Sequence, residues 1–251
     1  MSKNSWLPNT RNPEERVVHL RKFFEVVQLD KLSNENLLPC IACRRLSITE
    51  KSDFALIAWV QEAKLEARKV QTMPIDLKEL TKQLPTIRAM TTKDPAVFCS
   101  ELCKLLANCG IVLVFLPHIG GSFLHGATFI DNNKIVMGLT VRGKDADKFW
   151  FSLFHEIGHI LLGHLNRNGE IDDAAEKEAD SFARDVLIPQ SAFDSFVAQH
   201  NFSQEAIICF ASSAGIAPGI VVGRLQKEGH LNFSWCNNCL LYTSPSPRDR
   251  G

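Results

Sequence analysis

The sequence predicts an α+β protein: a mostly helical N-terminal region, a small antiparallel or mixed sheet of about three strands, then a histidine-bearing helix packed on a second, acidic helix. Three observations predict it. Apolar residues recur at three- and four-residue spacing through most of the first hundred positions. At Gly110 the pattern changes to short β-branched runs. Residues 151–164 then read Phe-Ser-Leu-Phe-His-Glu-Ile-Gly-His-Ile-Leu-Leu-Gly-His, an H-E-x-x-H pattern inside an almost wholly apolar run.

The first helix starts at Pro13, where Val17, Val18, Leu20, Phe23, Phe24 and Val27 form a stripe opposite Glu14, Glu15, Arg16 and Arg21. Residues 33–36 and Pro39 mark a break. Asp53 is placed to cap a second long helix that runs through Trp59 to about Val70, its later half a solvated charged face. Asp76 to Leu84 and Pro95 to Leu106 read as two more amphipathic helices, parted by a loop around Thr91, Thr92 and Lys93. None of these helices carries recognisable chemistry.

The strands come next. Ile111 to Leu116 is a β-branched apolar run closed by Pro117, a buried strand. Gly126 to Ile130 and Ile135 to Leu139 flank Asp131-Asn132-Asn133-Lys134, a hairpin signal. A sheet edge close to a metal can hold an extended peptide by strand addition.

In the H-E-x-x-H run, His155 and His159 stand four residues apart on one helix face, where both imidazoles reach one metal ion. Glu156 lies between them, placed to hold a water without being a ligand. Phe149, Trp150, Phe151, Leu153, Phe154, Ile157, Ile160, Leu161 and Leu162 cover nearly the whole circumference, so the helix is expected to be buried. Two imidazoles and a carboxylate buried without partners would cost several kcal/mol, and a shared metal satisfies all three. The reading is a zinc hydrolase, most simply a peptidase.

Catalytic zinc takes three protein ligands. The third is expected from a helix that Asp172 or Asp173 caps and Pro189 ends, with Ala175, Ala179, Phe182, Ala183, Val186 and Leu187 as its buried stripe. Glu176 flanks that stripe and is the assigned ligand. Asp180, one turn on, is the acceptor that fixes a ligand histidine's N–H. His164, which five residues of helix carry about 140° round from His159, and Glu178 are the substitutes.

Whole-chain properties exclude other classes. Lys plus Arg equals Asp plus Glu at 28 each, so no overall field draws nucleic acid or membrane. No apolar run reaches about 18 residues, and the first residues lack a signal-peptide core. The eight cysteines are scattered, which fits a reduced, cytoplasmic setting. Cys40-x-x-Cys43 and Cys236-x-x-Cys239 are weak zinc signals at that separation. Arg224 and Lys227, on a C-terminal helix pair, give too little phosphate affinity for a DNA reader and are expected to serve packing.

His155-Glu-Ile-Gly-His159 with Leu161-Leu-Gly-His164, followed by Glu176-x-x-Ala179-Asp180-x-Phe182-Ala183 and Leu187-Ile-Pro189, resembles the ImmA/IrrE family of metallopeptidase domains over roughly residues 75–230. The resemblance implies a zincin-type active-site helix packed on a second ligand-bearing helix, with Glu176 as ligand and Glu156 as general base. It implies a DNA-binding repressor as protein substrate; the metal expected from the ligand pattern is Zn2+, with Mn2+ as the alternative. Many members carry an Xre-type helix-turn-helix and are labelled HigA-like antitoxins. No such module precedes the domain here, so the chain is expected to be a truncated product or a stand-alone form. The expected division is a helical N-terminal and linker region over 1–74, the metallopeptidase domain over 75–232, and a disordered, non-native tail over 233–251, Ser-Pro-rich toward its end.

The expected function is therefore zinc-dependent endopeptidase activity in a phage, stress or toxin–antitoxin system, with Glu156 carrying the water's proton to the leaving amine. His118, His125 and Arg142 stand open as partners of the oxyanion, since the only tyrosine is Tyr242 in the tail. The rival reading is an antitoxin-type regulator, paired with a cognate toxin, whose metal domain is structural or sensory and cleaves nothing.

Overall fold

Asn12 accepts from the Glu14 N–H and Pro13 fills the first turn, so α1 (Pro13–Phe24) begins where the sequence places it. Of its apolar stripe only Phe23 is buried, while Val17 and Val18 are 44 % and 59 % exposed. The structure, a computed structural model, describes residues 1, 4–33, 50–119, 126–141, 146–166 and 172–235. The expected break around residues 34–39, the cysteines at 40, 43, 236 and 239, and the tail from 236 lie outside these residues.

Helix α2 (Glu50–Arg68) starts three residues ahead of the expected Asp53 cap. Helix α3 (Leu77–Ala89) is capped by Asp76 and runs on through Pro85, past its expected end. An interior proline costs a helix about 3 kcal/mol, and full burial of Leu80 and Ile87, on either side of Pro85, offsets that loss. Asp94 caps α4 (Pro95–Asn108).

Three strands follow among the described residues: β1 (Ile111–Pro117), β2 (Gly126–Asp131) and β3 (Lys134–Val141), in the order β1-β3-β2. The sheet is mixed, with β3 parallel to β1 and antiparallel to β2. Asn132 and Asn133 take φ +47° and +63°, the left-handed pair that a two-residue hairpin turn needs.

Both sheet faces are buried, which is why the strands read as continuous apolar runs. Ile111, Leu113, Ile135, Met137 and Leu139 join the main core with α3 and α4. Val112, Val114, Leu116, Ala127, Phe129 and Val136 face α2, through Leu56, Trp59, Val60, Ala63 and Ala67. Gly138 is required there, because a Cβ would collide with the Trp59 indole. Residues 50–68, which the sequence groups with an N-terminal region, thus cover one side of the sheet.

The other side carries α5 (Ala146–Leu161), with Trp150, Leu153, Phe154 and Ile157 fully buried. Gly163, at φ +76°, turns the chain into a short 3-10 turn, His164–Asn166. Asp172 caps α6 (Asp173–Leu187), accepting from the Ala175 N–H at 2.8 Å. Helices α7 (Gln190–Val197), α8 (Gln204–Ala214) and α9 (Pro218–Lys227) close the core.

Arg224 is buried within that closure. It donates to the Ile188 carbonyl at 2.6 Å and to Gln190 Oε1 at 2.5 Å, and lies 3.9 Å over the Phe193 ring. Its guanidinium is engaged in packing. Cys109 and Cys209 are free thiols. No single helix among the described residues is long and apolar enough to cross a membrane.

Candidate metal centre

Helices α5 and α6 touch because small residues let them. A Cβ at Gly158 would stand 3.1 Å from the Phe182 ring and 3.2 Å from the Ala179 Cα, and Ala175, Ala179 and Ala183 are fully buried. Glu176 and Asp180 flank that stripe, so close approach of the helices delivers both carboxylates to the histidine face of α5.

His155, His159 and Glu176 converge there. The two Nε2 atoms are 3.0 Å apart, and each is 3.4 Å from one oxygen of Glu176. Two ligand atoms bound at 2.0–2.1 Å to a tetrahedral zinc ion stand about 3.3 Å apart. The spacing fits. Asp180 Oδ1 accepts from His155 Nδ1 at 2.8 Å, which leaves the neutral ring's lone pair on Nε2, facing the cluster. Neither Glu176 oxygen has a hydrogen-bond partner, although both are buried. Two imidazole nitrogens and a buried carboxylate converging on one point form a group that a cation satisfies, and two imidazoles with one carboxylate are a ligand set that zinc takes.

The charges follow the same geometry. Burial pushes the His155 imidazole down, but the Asp180 and Glu176 carboxylates, with Glu156 nearby, outweigh it and raise it to about 9. Burial pushes the Glu176 carboxyl up, and the two facing imidazoles overcome this and bring it to about 2. Glu156 goes the other way. Burial holds its carboxyl above the ordinary range, against the pull of His155, His159 and Thr128.

Glu156 is not part of the cluster; it is seated against β2. Thr128 Oγ1 donates to Glu156 Oε2 at 2.5 Å, and a Cβ on Gly126 would come within 2.6 Å of Glu156 Oε1. Sequence reasoning did not single out Gly126 or Thr128. Thr128 lies 28 residues from Glu156, and the only hint was its hydroxyl in an otherwise apolar strand.

The substitutes for Glu176 stand elsewhere. His164 Nδ1 is 2.9 Å from His159 Nδ1, and His164 Nε2 is 3.0 Å from Glu178 Oε2, so both ring nitrogens are engaged away from the cluster. His118 follows β1, two strands from β2 and hence about 10 Å across the sheet. His125 and Arg142 lie outside the described residues.

A histidine pair on one helix, a glutamate from a second, and an unliganded glutamate held by an adjacent edge strand define a metallopeptidase-like α+β domain. The chain carries an ImmA/IrrE-family domain: the model of a peptidase family described as the IrrE N-terminal-like domain matches residues 112–225. That range spans the sheet, α5, α6 and most of α9. No curated protein is similar enough to the chain to be matched with it.

Proposed function

We propose that the chain is a zinc-dependent metallo-endopeptidase of the cytoplasm that hydrolyses a peptide bond in a DNA-binding repressor, within a phage, stress or toxin–antitoxin response. One observation carries the peptidase reading: ligand atoms of His155, His159 and Glu176 converge within 4.8 Å of one another, while Glu156 is held beside them outside the ligand set. His155, His159 and Glu176 would hold the ion. Zinc suits this ligand set better than manganese, which favours more oxygen ligands.

When bound, the metal supplies Lewis acidity, acidifying water and polarising the scissile carbonyl. Glu156 does the proton work. Thr128 occupies its Oε2, which leaves Oε1, above Gly126, to take a proton from water and pass it to the leaving amine. The raised proton affinity that burial confers suits a carboxylate that must hold a proton between these two steps. Strand β2 is an edge of the sheet and touches Glu156, so a substrate aligned along it would present its main chain to the base. The repressor as substrate rests on the family resemblance, and the free thiols of Cys109 and Cys209 suit a reduced compartment.

The test is to incubate the zinc-loaded protein with the repressor encoded beside its gene. A discrete fragment is expected, prevented by chelator and absent with Glu156→Gln, which still binds zinc. Binding of the repressor without a fragment would replace this reading with the antitoxin-type regulator.

A further inference from the structure

Resting on the metallopeptidase reading, we infer that His164 and Glu178 are positioning residues: together they hold His159 in the tautomer and ring orientation that aims its Nε2 lone pair at Glu176 and His155. The chain of contacts runs from Glu178 Oε2 to His164 Nε2 at 3.0 Å, then from His164 Nδ1 to His159 Nδ1 at 2.9 Å.

Proton bookkeeping gives that chain a direction. A carboxylate only accepts, so His164 Nε2 carries the N–H. In the neutral ring His164 Nδ1 is then an acceptor, and His159 Nδ1 donates to it. His159 Nε2 is left with a lone pair facing the cluster, where a metal ligand needs one. Asp180 does the same for His155 in one step. For His159 an imidazole intervenes.

The fold builds this relay on purpose-shaped backbone. Continued helix would carry a residue five positions on about 140° away from His159. Gly163, at φ +76°, ends α5 instead, and the following 3-10 turn returns His164 to His159 with its side chain fully buried. Helix α6 supplies every carboxylate involved: Glu176 to the cluster, Asp180 to His155 and Glu178 to His164. The side chain of Glu178 is 55 % exposed, so it can be replaced without disturbing the core.

The experiment measures Zn2+ affinity of the full chain by competition with a fluorescent chelator, and the visible spectrum of the Co2+ form, with folding followed by circular dichroism. Removal of a partner that orients a ligand histidine weakens metal binding about 10- to 100-fold. That loss is expected for His164→Ala and Glu178→Ala, with one metal still bound per chain and an altered Co2+ spectrum. Glu178→Gln, whose amide oxygen still accepts from His164, is expected to recover most of the affinity. Zn2+ affinities of folded His164→Ala and Glu178→Ala within twofold of the parent would overturn the inference and leave the metal centre standing. If His164→Ala does not fold, Glu178→Ala decides on the same criterion. A parent chain that binds no Zn2+, or binds it unchanged with Glu176→Ala, would overturn the metal centre and this inference with it.

Discussion

The Thr128 hydroxyl on β2 donates a 2.5 Å hydrogen bond to the Glu156 carboxylate on α5, with Thr128 fully buried and Glu156 only 3 % exposed. It ties the edge strand to the residue proposed to handle protons. Hydrogen bonds to charged groups are worth about 1.5–3 kcal/mol, and 1.4 kcal/mol is about tenfold in rate. Thr128→Val, which keeps the shape, is expected to lower kcat about 10- to 100-fold while Zn2+ affinity stays within about twofold. Thr128→Ser should retain most of the rate. Equal kcat for the valine and parent enzymes would remove Thr128 from the mechanism.

Gly126 makes room for the same carboxylate. A Cβ there would approach Glu156 Oε1 to 2.6 Å, so Gly126→Ala must displace the Glu156 side chain. Misplacement of a catalytic group by about 1 Å costs about a hundredfold in rate. The alanine variant is expected to show that loss in kcat with a melting temperature close to the parent's. A large fall in melting temperature would show that the backbone, not the side chain, yields.

Metal binding is expected to stabilise the fold. Free Zn2+ at 100 times its Kd adds about 2.7 kcal/mol, which for a domain of this size raises Tm by roughly 5–10 °C. Chelation should lower Tm by that amount in the parent and by little in Glu176→Gln. Calorimetry with and without chelator measures both, and an equal chelator effect in the two proteins would remove Glu176 from the ligand set.

In the chelated protein the site also shapes stability against pH. The folded His155 value of about 9 exceeds its ordinary 6.5, so its contribution is complete below 6.5 and is lost as pH rises through 9. The folded Glu176 value of about 2 is below its ordinary 4.5, so its contribution is complete above 4.5 and is lost as pH falls through 2. The pair therefore contributes most between about pH 4.5 and 6.5. Thermal melts of chelated protein should show Tm falling from pH 6.5 to 9, and Asp180→Asn should flatten that fall. Parallel curves for parent and variant would exclude Asp180 as its source.

Much of the architecture was legible as local pattern. The switch at Gly110 from helical to strand spacing places β1, and the two asparagines at 132 and 133 mark the hairpin. Where the reading missed, tertiary packing had outweighed a local signal. Proline at 85 reads as a helix end, yet α3 continues because Leu80 and Ile87 are buried on both sides of it. The apolar stripe of α1 reads as a core face, yet Val17 and Val18 are exposed among the described residues.

The centre divides the same way. A helix repeats every 3.6 residues whatever surrounds it, so His155 and His159 share a face, and Glu176 and Asp180 flank an alanine stripe, in the sequence alone. Contact between those faces, and the roles left to other residues, depend on chain segments brought together from a distance. Strand order β1-β3-β2 sets β2 beside α5 and so gives Glu156 its Thr128 partner, and the positive φ of Gly163 brings His164 beside His159, a candidate ligand, rather than into the cluster. Periodicity is fixed by bonds four residues apart, whereas those placements arise from packing between segments that no spacing in the chain encodes.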